Sequence, residues 1–416
     1  MSIQKPKGTF DILPCEAQKR QFIYGEIRNI LGNYNYSEIL TPAFEKTELF
    51  VRGIGEETDI VSKEMYSFNE GEFTLRPEMT APVIRAYLEN SLYNESPLRK
   101  LYYICNMFRR ERPQKGRYRE FWQFGVEAIG SDDYLVDAEM ISIAIEILKR
   151  FGVKNLVTKV NTIGTIKERG RFIKELTEYL NKYKEDLSEE SKRRLEKNPL
   201  RILDTKNEKE KEILNEAPIL FDFLEDDTKA GFKKLLSALD ALNIKYDVDY
   251  RLVRGFDYYT STTFEVVSDS LGAQNAILGG GRYDLLVEQL GGKPTPAIGF
   301  ACGIERLMMM MESEGFIYPE PEKIKLYIAT FGDEAKEKSL NILQELREKG
   351  IKCETDYLSR SIKSQMKEAN KYHAEYVIVL GEDEIKSNKA RIKRMSDGEE
   401  AEISLSAGEI ITNLKI

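Results

Sequence analysis

Two apolar runs, LYYICNMF and FWQFGVEAIG, enclose the charged stretch RRERPQKGRYRE at residues 109–120. Apolar runs separated by a short polar segment with Pro and Gly predict two strands joined as a hairpin, the charges lying on its loop. From Arg109 to Arg119 six basic residues stand against one acidic residue, net +5, in a chain whose formal charge is -8. Arginines projecting from strand ends can hold phosphate oxygens in a fixed fork, so an anionic ligand is expected there. The competing reading is a charged surface hairpin. A second arginine cluster in RLVRGFDYY, a glycine-rich turn in LGGGRYD and a further arginine in GFACGIERL argue for a shared site instead. The chain carries neither a Walker loop nor a Rossmann fingerprint, so a nucleotide would have to be held in another way.

Around the hairpin the pattern is mixed. Apolar residues at helical spacing predict a helix over Glu16 to Leu31, stopped by Gly32, then a short strand in YSEILTP ended by Pro42. Phe73 to Arg76 reads as a strand and Asp137 to Phe151 as an amphipathic helix. From about Thr165 to Asp227 the chain becomes dense in Lys and Glu with sparse Leu and Ile, a helical insertion solvated on most faces. Strand-like patterning resumes at YDVDYRLVRGFDYYTSTTFEVV and runs through AILGGGRYDLL and AIGFACGIERL. YPEPEK at 318–323 is a linker by composition, and strands and helices then alternate through YVIVLG in a small α/β domain. The boundaries expected are therefore 1–320 and 321–416.

At 416 residues, with 41% hydrophobic and 10% aromatic residues, the chain can bury a large core. No apolar run is long enough to span a membrane, and MSIQKPKGTFDILP lacks the apolar stretch of a signal peptide, so a cytoplasmic protein is expected. Cys15, Cys105, Cys302 and Cys353 form no C-x-x-C pair, which argues against a zinc ribbon, a disulfide framework or any structural metal. The acidic balance speaks against indiscriminate nucleic-acid binding and leaves a focused site open.

These segments, in this order, resemble the class II aminoacyl-tRNA synthetases, and within them the histidyl-tRNA synthetase family. The region ending at Pro42 resembles motif 1, FRRERPQKGRYREFWQFGVE motif 2 and AIGFACGIERL motif 3. RGFDYYTSTTFEV, GGGRYDLLVEQLGG and TLRPEMTAP resemble the peptides peculiar to the histidine enzymes, and SQMKEANKYHAEYVIVLGEDE resembles their anticodon-binding domain. The resemblance implies an α+β fold: a class II catalytic domain, an antiparallel sheet flanked by helices, with a helical insertion and a C-terminal α/β anticodon-binding domain. It also implies a homodimer that uses ATP with Mg2+ to activate L-histidine and then charges histidine tRNA.

Carried over residue by residue, the resemblance assigns Arg109 to the α-phosphate, Arg306 to the γ-phosphate and Arg117 to the outer phosphates. Glu111 reads the adenine, and Phe121 stacks on it. Arg254 lies opposite Arg109 across the α-phosphate and is, with it, the expected catalytic group. Glu78 and Thr80 bind the α-ammonium end of histidine, while Gln123, Glu127, Tyr258, Tyr259 and Tyr283 line its side-chain pocket. Gln114 and Arg119, left over on the motif 2 loop, are expected to meet the tRNA acceptor end. Such chemistry needs no general base, because the attacking carboxylate is ionised at neutral pH. A competing reading is the synthetase-like regulatory subunit of ATP phosphoribosyltransferase. Those relatives generally lack the anticodon-binding domain and erode the histidine-specific peptides. The single histidine, His373, is expected at a helix end, remote from the chemistry.

Overall fold

A computed structural model describes residues 3–55, 58–113, 116–268, 276–320 and 323–414. The chain divides into two compact units, residues 1–317 and 318–416.

The first unit is built on an eight-stranded sheet. Its order is Ser37–Glu38, Arg99–Phe108, Glu120–Ile129, Ala297–Gly303, Ala276–Arg282, Thr262–Ser268, Leu156–Thr162, Tyr246–Val248. Only the two outermost pairings are parallel; the six central strands run antiparallel. The predicted hairpin is the pair Arg99–Phe108 and Glu120–Ile129, in register from Arg99 opposite Ile129 to Phe108 opposite Glu120. Helices Pro14–Asn33 and Tyr134–Arg150 bury Ile23, Ile27, Leu31, Ile141, Ile143 and Leu148. Asp133 caps the second helix, accepting the Leu135 N–H at 2.8 Å. The first does not stop at Gly32 but runs to Asn33, and Asn35 makes the exit with φ 62°.

Three local expectations change. The glycines of LGGGRYD form no turn; they lie inside the strand Ala276–Arg282. A Cβ on Gly280 would stand 2.1 Å from the carbonyl oxygen of Gly299, so the neighbouring strand leaves no room for a side chain. YSEILTP contributes only the two-residue strand Ser37–Glu38. RLVRGFDYY is not a strand but an irregular connection between Tyr246–Val248 and Thr262–Ser268.

The insertion forms helices Ile166–Asn181, Glu189–Lys197 and Glu208–Asn215 with short turns between them. Thr165 and Glu168 close a capping box at its start. Its sparse apolar residues converge: Phe172, Leu176, Leu180, Leu195, Ile202 and Leu214 are buried in one core with Tyr258, Tyr259 and Tyr283 of the main unit. It is thus packed onto the rest of the first unit along an apolar seam, less solvated than its composition suggests.

The second unit has a five-stranded sheet ordered Cys353–Thr355, Leu326–Thr330, Tyr376–Leu380, Lys389–Arg394, Glu400–Ser404. The first three strands are parallel and the last two antiparallel. Helices Asp333–Glu348 and Ala407–Asn413 bury Ile342, Leu346 and Ile410 in the core of this unit. The terminal strands and helices after Leu380 were not marked by the sequence pattern.

Candidate active site

One face of the central sheet is cleared of side chains so that others can reach across it. Phe121, Gln123, Gly125 and Glu127 alternate along Glu120–Ile129 and therefore point the same way. At Gly125 a Cβ would lie 2.2 Å from the Tyr103 hydroxyl. At Gly299, opposite Glu127, it would lie 1.7 Å from Glu127 Oε2. The Glu127 carboxyl lies in this space and accepts hydrogen bonds from Thr80 Oγ1 at 2.9 Å and Tyr283 Oη at 2.5 Å. Burial pushes it up to about 8, against the two donated bonds that favour the charged form. Thr80 opens the helix Thr80–Glu89. Glu78 caps that helix, its oxygens accepting the Thr80 N–H at 2.7 Å and the Ala81 N–H at 3.0 Å. Tyr258 packs against Tyr259 at 4.7 Å and Tyr283 at 5.7 Å between ring centres, all three buried. This end can offer an aromatic wall, a carboxyl and phenols to a small ring bearing both a donor and an acceptor.

The other end is cationic. The Arg254 guanidinium is paired with Glu265 and lies over the Tyr259 ring. A Cβ on Gly279, opposite Glu265, would stand 2.5 Å from Arg254 Nη1. Arg109 donates from Nε to the Pro77 carbonyl at 2.9 Å and lies 5.2 Å from the Phe121 ring centre. Arg117 reaches Glu111 at 3.5 Å. A cavity of about 300 Å³ is lined by Arg109, Glu111, Arg117, Phe121, Arg254 and Arg306. It shares Arg109, Arg117, Gln123 and Arg254 with a larger cavity of about 610 Å³ lined by Glu78, Thr80, Tyr258, Tyr259 and Tyr283. The two form one cleft, polar and aromatic at one end, rich in arginine at the other.

Thirteen of the predicted site residues thus lie on this cleft or in contact with its lining: Glu78, Thr80, Arg109, Glu111, Arg117, Phe121, Gln123, Glu127, Arg254, Tyr258, Tyr259, Tyr283 and Arg306. Arg119 does not line it. Its side chain donates to the carbonyls of Glu111 and Lys7 at 3.4 and 3.3 Å and packs where a Cβ on Gly8 would be. Gln114 falls outside the described residues. Among the cleft residues that escaped the sequence reading are Glu265 and Tyr103. Glu265 was signalled as the lone charge in the apolar run TTFEVV, and Tyr103 carried no signal beyond an apolar strand.

The histidyl-tRNA synthetase family model matches residues 8–307. The chain belongs to that family. A model of the anticodon binding domain matches residues 325–415 of this histidyl-tRNA synthetase family member. It is 46% identical to the histidine–tRNA ligase of Clostridium perfringens over all of both chains. It is 49% identical to that of Halothermothrix orenii over 98% of each. The apo histidyl-tRNA synthetase of S. aureus has a similar fold, with a TM-score of 0.84 at 37% identity over the whole of both chains. A Bacillus halodurans protein described as an ATP phosphoribosyltransferase regulatory subunit/histidyl-tRNA synthetase shares the fold alone, at 23% identity over 92% of this chain and all of the other, with a TM-score of 0.63. Nothing in these likenesses favours the regulatory-subunit reading.

Proposed function

We propose that the chain joins L-histidine to ATP, releasing pyrophosphate, and passes the histidyl group to the terminal ribose of histidine tRNA. The observation that carries this reading is the cleft itself, where the Glu127, Thr80 and Tyr283 network adjoins Arg109, Arg254 and Arg306. A carboxylate oxygen of histidine attacks the α-phosphorus, and the bond to the pyrophosphate oxygen breaks. Arg109 and Arg254 neutralise charge on the α-phosphate, while Arg306 and Arg117 hold the departing phosphates. Phe121 stacks on the adenine, with Glu111 accepting from its amino group. Glu78 and Thr80 take the ammonium end. Gln123, Glu127 and the three tyrosines enclose the imidazole, so that a wrong side chain leaves buried polar groups unpaired.

Family membership carries the use of ATP with Mg2+. Among the described residues no three carboxylate, imidazole or thiolate groups converge into a cage. That suits a hard cation which binds through few protein carboxylates and the substrate phosphates. Glu265, which pairs with Arg254, is one of several cleft carboxylates and the one proposed to hold it, and Mg2+ would supply further neutralisation of the phosphates.

The first unit, residues 1–317, is assigned to activation and the second to the tRNA anticodon. Supporting the latter, Phe331, Tyr357 and Leu358 are exposed just beyond the carboxyl ends of adjacent parallel strands, where unstacked bases could pack. Gln114 and Arg119 are assigned to the acceptor end, Arg119 by holding the loop. A homodimer is supported by the aromatic group Phe44, Phe68 and Phe73, whose ring centres lie 5.8–6.0 Å apart and whose first two members are exposed. No described helix is long and apolar enough to cross a membrane, which accords with work in the cytoplasm. The test is pyrophosphate exchange into ATP with and without histidine, followed by charging of histidine tRNA. Exchange that does not depend on histidine would overturn the reading.

A further inference from the structure

The connection between Val248 and Thr262 carries Arg254, Tyr258 and Tyr259, yet it has no regular secondary structure of its own. Its backbone carbonyls must therefore find partners elsewhere. Two of them find the insertion. Arg201 Nη2 donates to the Gly255 carbonyl at 3.0 Å and also to Asp257 Oδ1 at 3.3 Å. Asn198 Nδ2 donates to the same Asp257 oxygen at 3.1 Å. Arg169 Nη1 donates to the Tyr259 carbonyl at 3.0 Å. From the opposite side, the Asp257 N–H donates to the Ile54 carbonyl at 3.1 Å. A Cβ on Gly55 would lie 2.4 Å from the Asp257 carboxylate, which keeps that wall in close contact. The loop is gripped at residues 255, 257 and 259, each adjoining or carrying one of its functional side chains.

We infer that the insertion is a latch on this loop, with Arg169, Asn198 and Arg201 serving as positioning residues that set Arg254, Tyr258 and Tyr259 for histidine activation. None of the three needs to touch substrate for this. A single exposed ion pair contributes little, but here several donors from one packed body converge on a short irregular segment. Misplacement of a catalytic group by about 1 Å can cost on the order of a hundredfold in rate. The adenine end rests on the hairpin residues Glu111 and Phe121, outside the latch, so the effect should fall on histidine and on the chemical step.

The inference rests on the reading of Arg254, Tyr258 and Tyr259 given above, and the experiment separates the two. Arg201→Ala, Asp257→Asn, their double variant and Arg254→Ala are compared in pyrophosphate exchange, with folding followed by thermal melting. Arg201→Ala and Asp257→Asn are each expected to lower kcat at least tenfold and raise KM for histidine severalfold. KM for ATP should stay within twofold. The double variant should be no worse than the poorer single, and Arg201→Lys should recover part of the loss. Should Arg201→Ala not fold, Asp257→Asn, which keeps the size of the side chain, decides. Parental kinetics in Asp257→Asn, equal rises in both KM values, or independent losses that multiply in the double variant would overturn the latch. If Arg254→Ala itself exchanges at the parental rate, the reading of the loop is what fails. If Arg254→Ala is inactive while the latch variants are unaffected, only the latch fails.

Discussion

Gly299 lacks a side chain where Glu127 needs space: the two face each other across neighbouring antiparallel strands, and a Cβ on the first would overlap the carboxylate of the second. Gly299→Ala must therefore expel Glu127 from its bonds to Thr80 and Tyr283 or separate the strands. Overpacking of this kind costs about 1–3 kcal/mol of stability. The larger effect is expected on the histidine KM, at least tenfold, with the ATP KM little changed. Exchange kinetics at varied histidine and ATP measure this, and a parental histidine KM would refute the placement of the imidazole beside Glu127.

Glu127 also sets a pH dependence. Its folded-state value, about 8, is raised above the ordinary 4.5. The folded chain thus keeps a proton that the unfolded chain releases, so this group's contribution to stability is complete below about 4.5 and is lost as pH rises toward about 8. Binding of histidine should leave one proton shared between the carboxyl and the imidazole, whose own pKa is about 6.5. The histidine kcat/KM is accordingly expected to peak between those two values. Glu127→Gln should remove the alkaline limb. Persistence of that limb in the variant would assign it to another group.

Arg254→Ala should abolish adenylate formation while ATP still binds through Arg109 and Arg306. Loss of one preorganised charge contact costs about 3 kcal/mol in the barrier, a fall of roughly a hundredfold or more. Gly279→Ala should do much the same without touching the arginine, because the added methyl would occupy the position of its guanidinium. Equilibrium binding of ATP beside the exchange rate distinguishes lost catalysis from lost binding. An exchange rate within a few-fold of the parent in both variants would remove Arg254 from the mechanism.

A fragment of residues 1–317 retains the whole cleft. It is expected to exchange pyrophosphate in a histidine-dependent way and to charge tRNA poorly. In the intact chain, Phe331→Ala and Tyr357→Ala should raise the KM for tRNA and leave exchange unchanged. Full charging by the fragment would show that the second unit is dispensable for tRNA.

His373 closes the helix Ile362–Lys371 with φ 51°, its N–H donating to the Asn370 carbonyl and the Ala374 N–H to the Ala369 carbonyl. This is a left-handed helix end, a conformation that asparagine accepts more readily than most residues. His373→Asn should keep parental exchange and melt at the same temperature or slightly higher. A large loss of exchange would show that the lone histidine does more than end a helix.

The sequence alone determined the hairpin, the helix expected over Asp137 to Phe151 and the strand and helix alternation up to Leu380, because those signals repeat every two or every three to four residues along the chain. Its clustered arginines also marked the cationic end of the cleft, whereas Glu78, Thr80, Gln123, Glu127 and the three tyrosines were assigned only through the resemblance to the histidyl-tRNA synthetase family. What lay beyond it depends on residues distant in the chain meeting in register. Gly279 read locally as part of a glycine-rich turn; only the strand pairing shows Gly279 and Gly299 as the spaces that Arg254 and Glu127 occupy. The insertion read as solvated because its few apolar residues join one core with Tyr258, Tyr259 and Tyr283, far along the chain. Arg119 read as a free charge on the loop because nothing local indicates that Lys7 and Glu111 would offer it their carbonyls. Tertiary packing decides these points because steric room and hydrogen-bond partners belong to pairs of residues, and such pairing leaves no periodic trace along one chain.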